Sequence, residues 1–521
     1  MSTQGQTPNI LLIIADDLGQ DLVNITGSGT KRVMQVYTND GTNDIYGALP
    51  NISRFLRNGL YFSEAWAQPA CSTTRASIFT GWHPWKNGVG SPPGELVYKS
   101  GLKTLPQLLP SNYVSGLFGK WHLGSLEVDG TLPTDHGWDR FVGTLDGFFD
   151  ETKMVKKLPE SYTNWYIQDS QASEKKTAYE EVWTNNYATW REVNEAASWI
   201  NAQTTPWFAT IAFHTPHKPL HVPTGGYDTA TVGKPAVDKN PSDAYMFNVM
   251  AQNMDFYIGN LLGTVGGSSL FKSIEENRLN NTIIIFIGDN GSDKAVALEE
   301  EKNYIYEGSV RVPMIIADGY AVMREIKKQT ITPRYLYASR LNATCGLLAH
   351  VVDLYKTIVH LVNPAENGFS ENTDSVSFRD VVADPLFALN AHTGQKRTFN
   401  FSQYYKGSTK LATIRTTGYK LNYDDSAQAW ALYKYSDGEI PGREDPATAA
   451  AANLALAAAI AAGDGAAIAA ATAAVAALPD DIFTDAIKLV NIGAGVNLND
   501  LLNNLIANYQ LDETHTFPDP R

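Results

Sequence analysis

Five short aliphatic runs constrain the fold of this chain more than any other feature: "NILLIIA" from Asn9, "YVSGLFGK" from Tyr113, "WFATIA" from Trp207, "NTIIIFIG" from Asn281 and "VPMIIADG" from Val312. Each is too short for a buried helix and apolar at successive positions, as a strand covered on both faces must be. Between them lie patterns with helical spacing, such as "NISRFLRNGL" and "YATWREVNEAASWINA". Alternating strands and helices predict a parallel α/β sheet, whose ligand site lies beyond the carboxyl ends of the strands. The polar tails of the runs are Asp16–Asp17, Lys120 with His122, His214 with His217, and Asp289–Asn290. The expected topology gathers all of them at one edge.

Two cysteines in 521 residues raise a second question. Cys345 reads as a buried inert thiol. Cys71 opens "CSTTRASIFTG", four residues before Arg75, so on a helix the two share one face. A cysteine at a helix N-terminus faces N–H groups that favour negative charge. The loop of a cysteine-dependent phosphatase needs a longer cysteine-to-arginine spacing to wrap a phosphate in N–H groups, so that chemistry is the weaker reading.

The strand-end acids have a chemistry of their own. Asp16, Asp17, Asp289 and Asn290 offer only oxygen ligands, which suits a hard cation, without the histidines or thiolates that zinc prefers. Calcium is favoured over magnesium because it tolerates irregular geometry. Formal charge is −14. That weighs against general nucleic-acid binding, and it means any anion site must be built locally from lysine, arginine and oriented N–H groups.

The run "CSTTRASIFTGWHPWKNGVG" resembles the sulfatase signature, C-x-P-x-R with its T-G-x-x-P-x-x-x-G-V tail, and "GKWHLG" matches a second motif of that family. "PNILLIIADDLG", "LPNISRFLRNGLYFSEAWA", "HGWDRFVG", "FHTPHKPLHVP", "GDNGS" and "EKNYIYEGSVRVP" follow in family order, so the resemblance runs from residue 9 to about 445. It implies an alkaline-phosphatase-like mixed sheet sandwiched by helices, and hydrolysis of a small-molecule sulfate monoester. It implies that Cys71 is converted to formylglycine by a maturing enzyme and that the cation is held by Asp16, Asp17, Asp289, Asn290 and the modified residue 71. Arg75 would steady the nucleophile, Asp289 take its proton, Lys120 and Lys302 hold sulfate oxygens, His217 protonate the leaving group and His122 deprotonate the second hydroxyl. Lys302 stands five residues before Glu307, as the family pattern requires. Thr73 departs from the pattern, which has proline there. A phosphonate monoester or phosphodiester hydrolase of the same superfamily is the alternative, disfavoured because Lys120 with His122 suits a sulfate group. His214 reads as structural, His136 and His221 as candidates for the substrate mouth, and "TNDGTNDIYG" and residues 146–175 as substrate loops.

Three regions are expected: a catalytic domain over 1–388, a small antiparallel sheet over 389–445, and an Ala-rich extension over 446–521. In the last, "PATAAAANLALAAAIAAGDGAAIAAATAAVAALPDD" predicts two helices broken at Gly463–Asp464–Gly465 and closed by Pro479. Each arm is too short for a bilayer, and the hairpin is a candidate for homo-oligomer assembly. The first apolar run, "ILLIIA", is too short for a signal sequence, so a cytoplasmic protein is expected unless the start has been trimmed.

Overall fold

The computed structural model describes residues 7–41, 44–97, 102–145, 164–169, 178–181, 187–223, 241–264, 272–298, 301–366, 369, 373–383, 397, 399–415, 419–424 and 429–434. The Ala-rich extension, and most of the 146–175 segment, lie outside the described residues.

A ten-stranded sheet forms the centre. Its middle is parallel: Val114–Lys120, Trp207–Ala212, Asn9–Ala15 and Thr282–Gly288 lie side by side in that order. Alternation along each strand divides the core into two layers. Ile10, Leu12 and Ile14 face one layer together with Ile283, Ile285 and Ile287. Leu11, Ile13 and Ala15 face the other with Ile284 and Phe286. Each fully buried aliphatic side chain of this kind contributes roughly 1.5–3 kcal/mol. The first layer is covered by the helices Cys71–Thr80 and Leu354–Val362, the second by Pro50–Arg57, Ala188–Ala202 and Asp243–Leu261.

One strand runs against expectation. Met314–Asp318 is antiparallel to Thr282–Gly288, pairing Ile283 with Asp318 and Ile287 with Met314. Among its described residues the intervening chain holds a short helix, Glu307–Val310, and no crossover helix, so it re-enters the sheet from the edge where it left. Both strands are buried on both faces, and direction leaves no trace in such a pattern.

Gly119 shows how tightly this edge is built. Its φ is +107°, and a Cβ there would stand 2.1 Å from the Ala212 carbonyl oxygen, so only glycine can precede Lys120. Among the described residues, no helix is long and apolar enough to cross a membrane.

The change of character near residue 390 corresponds to an antiparallel meander of Asn400–Lys406, Thr409–Arg415, Tyr419–Asp424 and Ala429–Lys434. It docks through polar contacts to the segment before Cys71. Gln403 N–H donates to Gln68 Oε1 at 2.9 Å, and Ser402 Oγ–H to the Ala67 carbonyl at 2.7 Å. His350 extends the chain: its Nδ1 accepts from Val352 N–H at 3.1 Å, so the neutral ring carries its proton on Nε2, 3.3 Å from Ser402 Oγ. His83 stacks edge-on to it at 4.9 Å.

Burial first, and then the Arg397 charge, push the His350 pKa well below the ordinary histidine value of 6.5. A histidine depressed in the folded state takes up its proton only on unfolding, so its contribution is complete above the unfolded pKa and is lost as pH falls below it. Between about pH 6.5 and 5, each such histidine costs up to about 1.4 kcal/mol per pH unit. His350→Asn is therefore expected to flatten the acid limb of the stability–pH curve by about that slope, measured by urea unfolding at several pH values. An unchanged slope would show that His350 is protonated in the folded chain.

Candidate active site

The expected edge forms. Asp16 and Asp17 leave Asn9–Ala15, Lys120 ends Val114–Lys120 with His122 just beyond, His214 and His217 follow Trp207–Ala212, and Asp289 and Asn290 follow Thr282–Gly288. Cys71 and Arg75 come from the helix Cys71–Thr80, all ten of whose residues are buried. Lys302 is positioned by its N–H on the Ser292 carbonyl at 2.8 Å, and Asn303 N–H meets the Pro69 carbonyl at 2.8 Å. Asp17, His122 and Asn303 all have positive φ, at 63°, 59° and 71°. Non-glycine residues held there carry about 1–3 kcal/mol of strain, which the surrounding structure must hold in place.

Charge pairs organise the floor. Arg75 Nε and Nη2 donate to Asp289 Oδ2 at 3.1 and 2.8 Å, while its Nη1 donates to the Lys120 carbonyl at 2.7 Å. Lys120 Nζ meets Asp16 Oδ2 at 2.6 Å, and Lys302 Nζ meets Asp17 Oδ2 at 2.6 Å. Asn290 Nδ2 donates to Asp17 Oδ1 at 2.7 Å, and Asp17 N–H to Asp289 Oδ1 at 3.1 Å. His217 Nδ1–H donates to the Lys218 carbonyl at 2.6 Å, which leaves Nε2 facing Asp17 Oδ2 at 3.6 Å. Ser72 Oγ–H holds the His122 carbonyl at 3.0 Å.

The protonation states follow from this arrangement. Burial opposes the Asp17 charge, but His217, Lys302 and Lys120 together hold its carboxyl below the ordinary range. Burial and then the Asp16 charge push Asp289 up to about 6, against Arg75 and Lys120. Burial disfavours the Lys120 ammonium, yet Asp16 keeps its pKa above the usual value. Burial, with Lys120 and Arg75 adding to it, drives His122 well below 6.5. His217 is pushed down to about 3 by burial, with Asp17 opposing and Lys302 and Lys120 assisting. Burial also raises the Cys71 thiol, so it is no thiolate at neutral pH.

The residues fit a divalent cation. Asp16, Asp17 and His217 present ligand atoms within 4.8 Å of one another. Asp16 Oδ1 and Asn290 Oδ1 are buried acceptors without a hydrogen-bond partner, an arrangement that costs free energy unless something electropositive meets them. His217 stands nearer this cluster than the all-oxygen reading anticipated.

Above the floor opens a cavity of about 840 Å³, lined by Cys71, His122, His217 and Lys302 and by residues that sequence reasoning missed. Asp293, close by in "GDNGSDK", was legible; Tyr404 and Lys406, brought in by the C-terminal sheet, were not. Two expectations fail. His136 is buried with Nε2 on the Leu96 carbonyl at 2.8 Å, and His221 bonds Tyr187 Oη at 2.9 Å; neither lines this cavity. The strands Val33–Asn39 and Asp44–Ala48, which carry most of "TNDGTNDIYG", pack on the helix Asp243–Leu261 through Asn248 and Thr38, and the tip at Thr42 and Asn43 lies outside the described residues. His214 is structural, as read: Nδ1 lies 2.6 Å from Glu192 Oε1 and Nε2 2.7 Å from Thr144 Oγ1.

A mixed sheet between helix layers, with acids, lysines and a buried cysteine at the carboxyl edge, defines a hydrolase of alkaline-phosphatase-like fold. A sulfatase family model matches residues 8–347. The chain belongs to the sulfatase family, the sulfuric ester hydrolases. It is 24% identical over 473 residues to the N-acetylgalactosamine-6-sulfatase of Canis lupus familiaris, spanning 84% of this chain and 76% of that one. To the arylsulfatase of Klebsiella aerogenes it is 23% identical over 351 residues, 56% of this chain and 68% of that one. Among solved structures it resembles Ps i-CgsB in complex with k-i-k-neocarrahexaose, with TM-score 0.59, 22% identity and coverage of 86% and 90%. The PsFucS1 sulfatase from Pseudoalteromonas sp. gives TM-score 0.56 at 20% identity, with 83% of each chain covered. Likenesses this distant in sequence establish the fold.

Removing one member of a buried ion pair leaves the other uncompensated, at a cost of about 3–5 kcal/mol. Arg75→Met should therefore destabilise the protein by that amount in chemical unfolding. Asp289→Asn in the same background should recover part of the loss; a double variant no more stable than the single one would show that Arg75 acts otherwise.

Proposed function

We propose that this protein hydrolyses sulfate monoesters through a formylglycine made from Cys71 and a single calcium ion, with magnesium the alternative cation. The observation that carries the reading is the placement of Cys71. It is the first residue of a buried helix and lines the cavity floor with a protonated thiol, among Lys120, Lys302, Asp16 and Asp289. An unmodified cysteine has no use for those neighbours: a hard cation is a poor thiolate partner. A sulfated thiol would also lack a second hydroxyl through which to release sulfate.

Asp16, Asp17, Asp289 and Asn290 would hold the cation, with His217 beside them. Bound there, it would acidify an attached hydroxyl and offset the charge of the ester. The hydrate of formylglycine supplies one hydroxyl to attack sulfur and a second whose deprotonation releases sulfate and restores the aldehyde. Asp289 is held by Arg75 at Oδ2 and by Asp17 N–H at Oδ1, placing it to accept the proton of the attacking hydroxyl. Lys120 and Lys302 supply fixed positive charge for the sulfate oxygens; losing one such contact costs about 2.7–4 kcal/mol in the transition state. His217 directs Nε2 toward the reacting group and would serve as the acid for the departing oxygen once an anionic ester bound beside it favours the imidazolium and places a proton on Nε2. His122, neutral and with its Nδ1 buried and unpartnered, serves as the base for the remaining hydroxyl. The substrates named for the relatives favour carbohydrate and aryl sulfates.

Four experiments test this. Intact mass of the tryptic peptide ending at Arg75 should show formylglycine mixed with cysteine, and specific activity should scale with the formylglycine fraction. The first helical bond is Thr74 N–H to the Ala70 carbonyl at 3.0 Å, so proline at 73 removes none. Thr73→Pro should raise the modified fraction or leave it level. Full turnover with only unmodified Cys71 would overturn the mechanism.

Chelation should abolish activity and calcium should restore it better than zinc; recovery with zinc alone rejects the cation assignment. His217→Ala should lose about 10²-fold or more on alkyl sulfates and much less on nitrophenyl sulfate, whose leaving group needs no acid. Equal losses on both would move the acid role elsewhere. Aryl phosphonate hydrolysed faster than aryl sulfate would instead favour the phosphonate hydrolase reading.

A further inference from the structure

We propose that the turn between Asn400–Lys406 and Thr409–Arg415 carries a subsite for a second anionic group on the substrate, with Lys406 as its cation; this rests on the sulfatase reading and adds to it the class of ester. The substrate would be a saccharide that bears a sulfate or a carboxylate besides the sulfate removed.

Among the described residues, the cavity lining holds four lysines against two carboxylates, in a chain whose formal charge is −14. A local reversal of sign concentrates anions where the rest of the surface repels them. Three of the lysines already have a carboxylate: Lys218 lies 3.0 Å from Asp293, Lys294 3.8 Å from Glu301, and Lys302 2.6 Å from Asp17. Lys406 is exposed and, among the described residues, has no ion-pair partner. The deep cations Lys120 and Lys302 suffice for the group that reacts, so a further one at the mouth has no role toward a simple aryl sulfate.

The backbone that carries Lys406 is also held in place. It pairs in register with Thr409 across the turn. Behind it Tyr404 and Leu411 pack on Ala70 and Ile305, and Ala70 adjoins Cys71. The turn is therefore fixed relative to the residue that reacts. Tyr304, Pro92 and Pro93 line the same cavity and offer apolar surface on which a sugar ring can lie.

The test compares kcat/KM on nitrophenyl sulfate, a monosulfated hexosamine, its disulfated counterpart, and a monosulfated disaccharide carrying a uronate. Wild-type enzyme should prefer one or both dianionic sugars over the monosulfated one, and added salt should erode that preference. Lys406→Met should lower the preference about fivefold, as expected for a solvent-exposed ion pair, and Lys406→Glu should lower it further. The disulfated and uronate arms tell which anion the subsite takes. Absence of any wild-type preference, a preference unaltered in Lys406→Met, or an equal loss on every substrate would overturn the proposal. Failure to hydrolyse any sulfate ester, nitrophenyl sulfate included, would instead remove the sulfatase reading beneath it.

Discussion

Arg75 reaches from the helix that carries Cys71 to two strand ends at once, meeting Asp289 with two nitrogens and the Lys120 carbonyl with a third. A guanidinium can be buried this deeply only if its donors are met, and here they are met by the elements that must converge for catalysis. The other two floor pairs obey the same rule. Lys120 joins the end of one strand to Asp16 at the end of another, and Lys302 ties a later segment to Asp17. None of these three cations is partnered within its own element. The edge is thus assembled by charge across elements, while the apolar layers beneath it determine where those elements lie. Such a floor is oriented before substrate arrives, which is how electrostatic stabilisation avoids reorganisation during reaction.

The C-terminal sheet belongs to the same construction. Glu307, five residues after Lys302, faces Arg415 at 3.4 Å and Lys420 at 3.4 Å, and it accepts from the Trp66 indole at 3.3 Å. Arg415 also meets Glu64 at 2.6 Å. Gln68 and Ala67, just before Cys71, are bonded by Gln403 and Ser402. The sheet is therefore locked to both the segment that bears the nucleophile and the one that bears Lys302, and it supplies a wall of the cavity.

How much of this could be read from the chain depends on range. The strands were legible because each is an uninterrupted aliphatic run, and the site because parallel strands bring their polar tails to one edge. The direction of Met314–Asp318 was not, since a strand buried on both faces reads alike either way. The helix Cys71–Thr80 carries little amphipathic signal, because all of its sides are covered; only its resemblance to a known motif picks it out. His136 and His221 were misread because a histidine bonded to a backbone carbonyl or a tyrosine looks in sequence like one at a mouth. Tyr404 and Lys406 reach the site over more than 300 residues, a distance at which no local pattern speaks.

Cys71 is only 4% exposed, on a helix whose every residue is covered and which the C-terminal sheet then braces from outside. The maturing enzyme proposed for this residue would have no access to it once that packing is complete. Under the proposed chemistry, activation is thus a race within each molecule between oxidation of one side chain and closure of the core around it. Chains that close first would be native in shape and inactive. The inactive fraction in a preparation would then record, molecule by molecule, how closure of the core competed with oxidation of one side chain.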